Sequence, residues 1–162
     1  MAMKNPYPEK KQMQNPKIYK MPKQVNLGND QKTESVKPNG HKAANPYLQS
    51  QVMTASPQEL VTMLYDGALR FINQAAAAIE EKDMEKAHIA NVRAQNIILE
   101  LMGGLNQDYE ISEDFFKMYE FIHFHLIEGN SEKNVQKLKE AAGLTRELRD
   151  TWKQAMEDAK TS

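Results

Sequence analysis

From Ser56 onward, apolar residues recur every three or four positions, the spacing of amphipathic helices. The first such stripe runs through Leu60, Val61, Leu64, Ala68, Phe71, Ile72, Ala75 and Ile79. Ser56-Pro57-Gln58-Glu59 ahead of it is a capping box with proline at the first helical position, so a helix is predicted from there to about Glu80-Glu81-Lys82-Asp83. Asp83 is placed to cap a second helix running to about Leu105, where the stretch GLNQDY interrupts the pattern. Ser112, followed by Glu113 and Asp114, predicts the start of a third helix reaching Gly129. Ser131 predicts a fourth, carrying Val135, Leu138, Ala142, Thr145, Leu148 and Trp152 on one face. No period-two strand pattern competes. Four helices joined by short connections predict an all-α fold, an antiparallel up-down four-helix bundle.

Stepping residues by about 100° around each axis shows that two of these helices carry more apolar surface than one seam requires. The second helix has its main stripe at Ala87, Ala94, Ile97, Ile98, Leu101 and Leu105, and another at Ile89, Val92, Asn96, Leu99 and Gly103. The third buries Ile111, Phe115, Met118, Ile122 and Leu126 by the same reckoning, while Phe116, Phe124 and Ile127 point elsewhere. A helix touching two neighbours needs a wide stripe, which accounts for part of the excess. Phe116 and Ile127, however, lie more than ~100° from their seam centre, a position that faces water in a single-layer bundle. Contiguous exposed apolar area marks a binding surface, and an amphipathic helix is a natural occupant of such a groove. Self-association through the same face is the competing reading, giving a homo-oligomeric helical adaptor.

The segment before the periodic region is of another kind. Residues 1–44 hold five of the seven prolines, and apolar residues such as Ile18, Val25 and Leu27 follow no period. A chain that buries so little cannot offset its ordering entropy, so 1–44 is expected to be a disordered basic tail and 45–162 the folded domain. Charge divides at the same place: nine lysines against three acids give the tail +6, and 12 Lys/Arg against 19 Asp/Glu give the remainder -7. The triplet Asn-Pro-Tyr occurs twice, at Asn5-Pro6-Tyr7 and at Asn45-Pro46-Tyr47.

Chemistry is sparse. There is no cysteine, hence no disulfide, thiolate metal site or cysteine nucleophile. Two Glu-x-x-His pairs, Glu85/His88 and Glu120/His123, have the spacing used by carboxylate-bridged metal bundles, but both glutamates fall about 150–170° from the seams they would have to enter. No phosphate-binding glycine loop or Ser/His/Asp set is visible. The expectation is therefore no catalytic residue, no metal and no cofactor. The tail has no arginine and only Tyr7 and Tyr19 for stacking, which argues against a nucleic-acid partner. No apolar run approaches the ~20 residues of a membrane span and the N-terminus lacks a signal-peptide core, so no stable membrane insertion and a cytoplasmic location are expected.

The stretch beginning Asn45-Pro46-Tyr47, continuing through TASPQELVTMLYDGALRFI and RAQNIILEL, and closing with LRDTWKQA, resembles the flagellin secretion chaperone family, FliS, over about residues 45–157. The resemblance implies a cytoplasmic helical bundle that binds the disordered C-terminal region of flagellin, prevents premature polymerisation and delivers the subunit to the flagellar type III export gate, with further flagellar regulators as partners. It implies no cofactor. On that reading the groove for flagellin comprises Ile89, Val92, Asn96 and Leu99, with Phe116, Phe124 and Ile127. The family's N-terminal segment, which covers the groove when no client is bound, carries over to Asn45, Pro46, Tyr47, Leu48 and Val52. The sequence departs from the family pattern at its start, where 44 residues precede the Asn-Pro-Tyr that usually lies near the beginning.

Overall fold

A computed structural model describes Tyr19 and residues 46–161, with side chains from Gln49 onward besides Tyr19. Five helices occupy these residues: α1 (Pro46–Thr54), α2 (Pro57–Glu80), α3 (Met84–Gly103), α4 (Ile111–Glu132) and α5 (Val135–Thr161). Among the described residues there is no strand, only one isolated bridge. The short α1 has no counterpart among the four helices read from periodicity, since nine residues hold too few turns for a stripe to declare itself.

The side-chain signals for helix starts hold at two sites and fail at two. Ser56 and Glu59 form the reciprocal capping box ahead of α2, with Glu59 N–H donating to Ser56 Oγ at 3.2 Å. Asp83 Oδ1 accepts from Lys86 N–H at 3.1 Å and opens α3. Ser112, expected as the cap of the third long helix, is instead buried one residue inside α4, its Oγ donating to the Asn106 carbonyl at 2.5 Å. Asn134, not Ser131, caps α5, its Oδ1 accepting from Gln136 N–H at 3.0 Å and Lys137 N–H at 3.3 Å.

The four long helices pack as a helical bundle in which α2 lies against α3 and α5, and α4 against α3 and α5. Its core is drawn from the stripes legible in the sequence: Leu64, Ile72, Ile97, Ile98, Leu101, Ile122, Leu126, Leu138 and Leu148 are all but inaccessible. Each such side chain contributes roughly 1.5–3 kcal/mol of transfer free energy. Trp152 Nε1 donates to the Gln58 carbonyl at 3.1 Å and so ties the end of α5 to the first turn of α2. Polar groups that enter the interior are paired, and no buried side-chain nitrogen or oxygen among the described residues lacks a partner.

Tyr19 adds a contact from the segment expected to be disordered. It forms an antiparallel bridge with Leu105, and its ring stands edge-on to Trp152 at 5.1 Å and to Phe115 at 6.5 Å between centroids. Its hydroxyl is 3.0 Å from that of Tyr65 and also hydrogen-bonds to that of Tyr119. The other residues of 1–45, with the predicted tail, the upstream Asn5-Pro6-Tyr7 and Asn45, lie outside the described residues.

Candidate functional site: the outer face of α3 and α4

Two polar contacts fix how α3 and α4 sit side by side. Asn91 Nδ2 donates to the Leu126 carbonyl at 3.1 Å, and Asn130 Nδ2 lies 2.9 Å from His88 Nδ1. As one helix advances the other recedes, so the pair runs in opposite directions. These contacts also mark which flank of each helix faces the other. On α3, Val92 and Leu99 lie within about 40° of His88 around the axis. On α4, Phe116, His123 and Ile127 lie within about 60° of Asn130. Val92, Leu99, Phe116 and Ile127 therefore lie on the flanks of α3 and α4 that carry those contacts.

Exposure agrees with this placement. Leu99 retains 47% of its accessible surface, Ile127 44% and Phe116 37%, values unlike those of core residues in the same helices. Val92 is half-buried. Ile89, Asn96 and Phe124 are exposed as well, but they stand about 80–120° from the seam-facing residues and form the outer shoulders. Helical phase thus sets four of the expected residues on the flanks nearer the seam and three farther round. His123 contributes a half-buried imidazole to the α4 flank, where desolvation lowers its pKa from the ordinary value and favours the neutral ring.

Of the expected N-terminal cover, the backbone from Pro46 and the side chain of Val52 are described. Pro46, Tyr47 and Leu48 lie in the first turn of α1, with their side chains outside the described residues, and Val52 is half-buried against the core. The following residues of α1, Gln51 and Thr54, border a cleft of about 540 Å³ with Thr62 and Met63 of α2 and Lys153 and Met156 of α5. That cleft is across the bundle from the outer face of α3 and α4. Only Ala55 and Ser56 separate α1 from α2, which holds the end of α1 beside the start of α2. The described end of the segment is therefore held beside α2 and α5.

Periodicity did not single out Phe121, which is 46% exposed and stacks on His125 with centroids 4.0 Å apart. It belongs to the opposite flank of α4, where His125 Nε2 approaches Glu140 of α5 at 3.5 Å. Its position off the seam was the available signal. Glu85 and Glu120 are exposed, and among the described residues no group of three His, Cys, Asp or Glu could hold a metal ion. Nor is any described helix long and apolar enough to cross a membrane.

Comparison with known proteins finds relatives over most of the chain. The family model described as "Flagellar protein FliS" matches residues 40–159. A flagellar secretion chaperone FliS of Bacillus subtilis is 42% identical over 116 residues, covering 70% of this chain and 87% of the relative. Those of Salmonella typhimurium and Escherichia coli are 33% identical over 110 residues and 29% over 112. They span 66% and 67% of this chain and 82% of each relative.

Proposed function

The chain belongs to the FliS family, and from that premise we propose that it is a cytoplasmic export chaperone that captures the C-terminal region of flagellin on the outer face of α3 and α4. Its relatives are flagellar secretion chaperones, and this protein is a flagellar export chaperone and not an enzyme. Capture at this face rests on one observation, the apolar side chains of half-buried Val92 and exposed Leu99, Phe116 and Ile127 on the neighbouring flanks of two helices. Residues 45–162 act as the chaperone domain, built as an antiparallel up-down four-helix bundle.

The physics of capture follows from that surface. A client helix laid along the groove covers aromatic and aliphatic groups that otherwise face water, at about 25 cal/mol per Å² removed. The same event orders a segment that was disordered, which costs conformational entropy and moderates affinity. Holding the segment as a helix on the chaperone keeps it from pairing with other subunits, and passing the complex to the export gate completes the cycle.

The test is calorimetric titration of the full chain with a peptide of the last ~40 residues of its cognate flagellin, long enough for a helix of about 60 Å. Saturable one-to-one binding with a negative heat-capacity change is the expected result. Absence of binding, together with dimerisation at micromolar concentration, would assign the face to self-association instead.

A further inference from the structure

At the end of the bundle where α3 closes and α4 begins, an aromatic seat is built from Leu105, Phe115, Trp152 and the paired phenols of Tyr65 and Tyr119. Both phenol rings are fully buried, yet their hydroxyls meet at a point that a third hydroxyl reaches from outside. The group that reaches it is Tyr19, from a segment that lies outside the match to the family, which begins at residue 40. The contact combines three kinds of recognition: ring edges against Trp152 and Phe115, hydrogen bonds to two phenols, and a backbone bridge to Leu105. Edge-to-face packing and hydroxyl pairing act on the same side chain, as in a specific pocket for one residue type.

We propose that this seat is a binding site for a tyrosine-centred basic peptide, and that its resident ligand is the chain's own Lys17-Ile18-Tyr19-Lys20. The inference concerns the end of the bundle and does not rest on the flagellin reading. Charge supports the choice of ligand. Lys17 and Lys20 flank the tyrosine, and Asp108, Glu110, Glu113 and Asp114 lie on the loop and first turn that follow Leu105. Reach supports binding within one molecule. The chain between Tyr19 and Pro46 comprises 26 residues, which span about 39 Å even at the compact rise of a helix. The start of α2 and the end of α5, near which α1 ends, form this same end of the bundle. A ligand on such a tether acts at a high effective concentration, so a modest intrinsic affinity suffices to keep the seat filled.

Trp152, the sole tryptophan, reports on occupancy because Tyr19 packs on its ring. The experiment uses the full chain and its Tyr19→Ala variant. The variant should keep its helical circular dichroism but show a shifted Trp152 emission and greater quenching by acrylamide. A synthetic peptide of residues 13–25 should then bind the variant saturably and restore the original emission, while the wild-type chain, its seat occupied, should not respond. The same peptide carrying Tyr19→Ala should bind at least ~10-fold more weakly, as expected when a partly buried, hydrogen-bonded aromatic ring is lost. With Tyr19→Phe the peptide should still move the emission but bind less tightly. Unchanged Trp152 emission in the Tyr19→Ala protein, or equal binding of both peptides, would overturn the proposal. Wild-type emission that changes on dilution would assign the ligand to a second copy and overturn the intramolecular arrangement.

Discussion

Asn91 shows how a single side chain can set the relation of two helices. It is 1% exposed, donates through Nδ2 to the Leu126 carbonyl at 3.1 Å, and accepts at Oδ1 from Gln95 Nε2 at 2.7 Å. Replacing it with alanine removes both bonds and leaves the Gln95 amide without its acceptor. The expected destabilisation of Asn91→Ala is about 1–3 kcal/mol, seen as a lower urea midpoint with an unchanged slope. At this scale the sequence is legible for burial and mute on partners. A helical wheel puts Ile97 and Leu101 in the core because their environment follows from phase. It cannot join Asn91 to Leu126, 35 positions away, or Tyr19 to Tyr65, because no periodicity links residues on different elements. Tyr19 is the extreme case, since nothing around it repeats and composition alone assigns it to a tail.

Among elements, starts are easier to read than ends, for a chemical reason. A start is satisfied by a side chain, such as Ser56 or Asp83, whereas an end can be satisfied by backbone alone. After α2, Lys82 N–H donates to the Ile79 carbonyl and Asp83 N–H to that of Ala78, a Schellman turn with Lys82 at φ 63°. α4 ends in the same way: Asn134 N–H donates to the Gly129 carbonyl at 2.9 Å, and Lys133 sits at φ 49°. Glycine is the usual residue at such a position, so Gly129 was expected to be the stop. It is instead a point of close approach within α4, where an added Cβ would stand 2.7 Å from Leu138 Cδ2. Left-handed backbone strains a lysine, and Lys82→Gly should therefore stabilise the protein by about 0.5–1 kcal/mol in chemical denaturation. Lys133→Gly should gain less, because it also removes the 2.7 Å bond from Lys133 Nζ to Asn130 Oδ1.

For the whole molecule, the arrangement separates what holds the bundle together from what it offers to others. Leu99 is half exposed although Ile98 beside it is buried, so adjacent residues of one helix serve different surfaces. Leu99→Glu should change stability by no more than about 0.5 kcal/mol while abolishing detectable binding of the flagellin peptide. Val92→Glu should also abolish binding, at a larger cost in stability because Val92 is half-buried. Unfolding by Leu99→Glu, seen as loss of helical circular dichroism, would reassign this face to the core. That these side chains leave the core could be read from angle alone, whereas which of them lie toward the neighbouring helix needed the register of α3 on α4. The bond from Trp152 to Gln58 has a consequence for synthesis. It unites residues 94 positions apart, so the apolar stripe of α2 leaves the ribosome long before the helix that covers it. Until that last helix emerges, a member of a chaperone family has apolar surface of its own to shield.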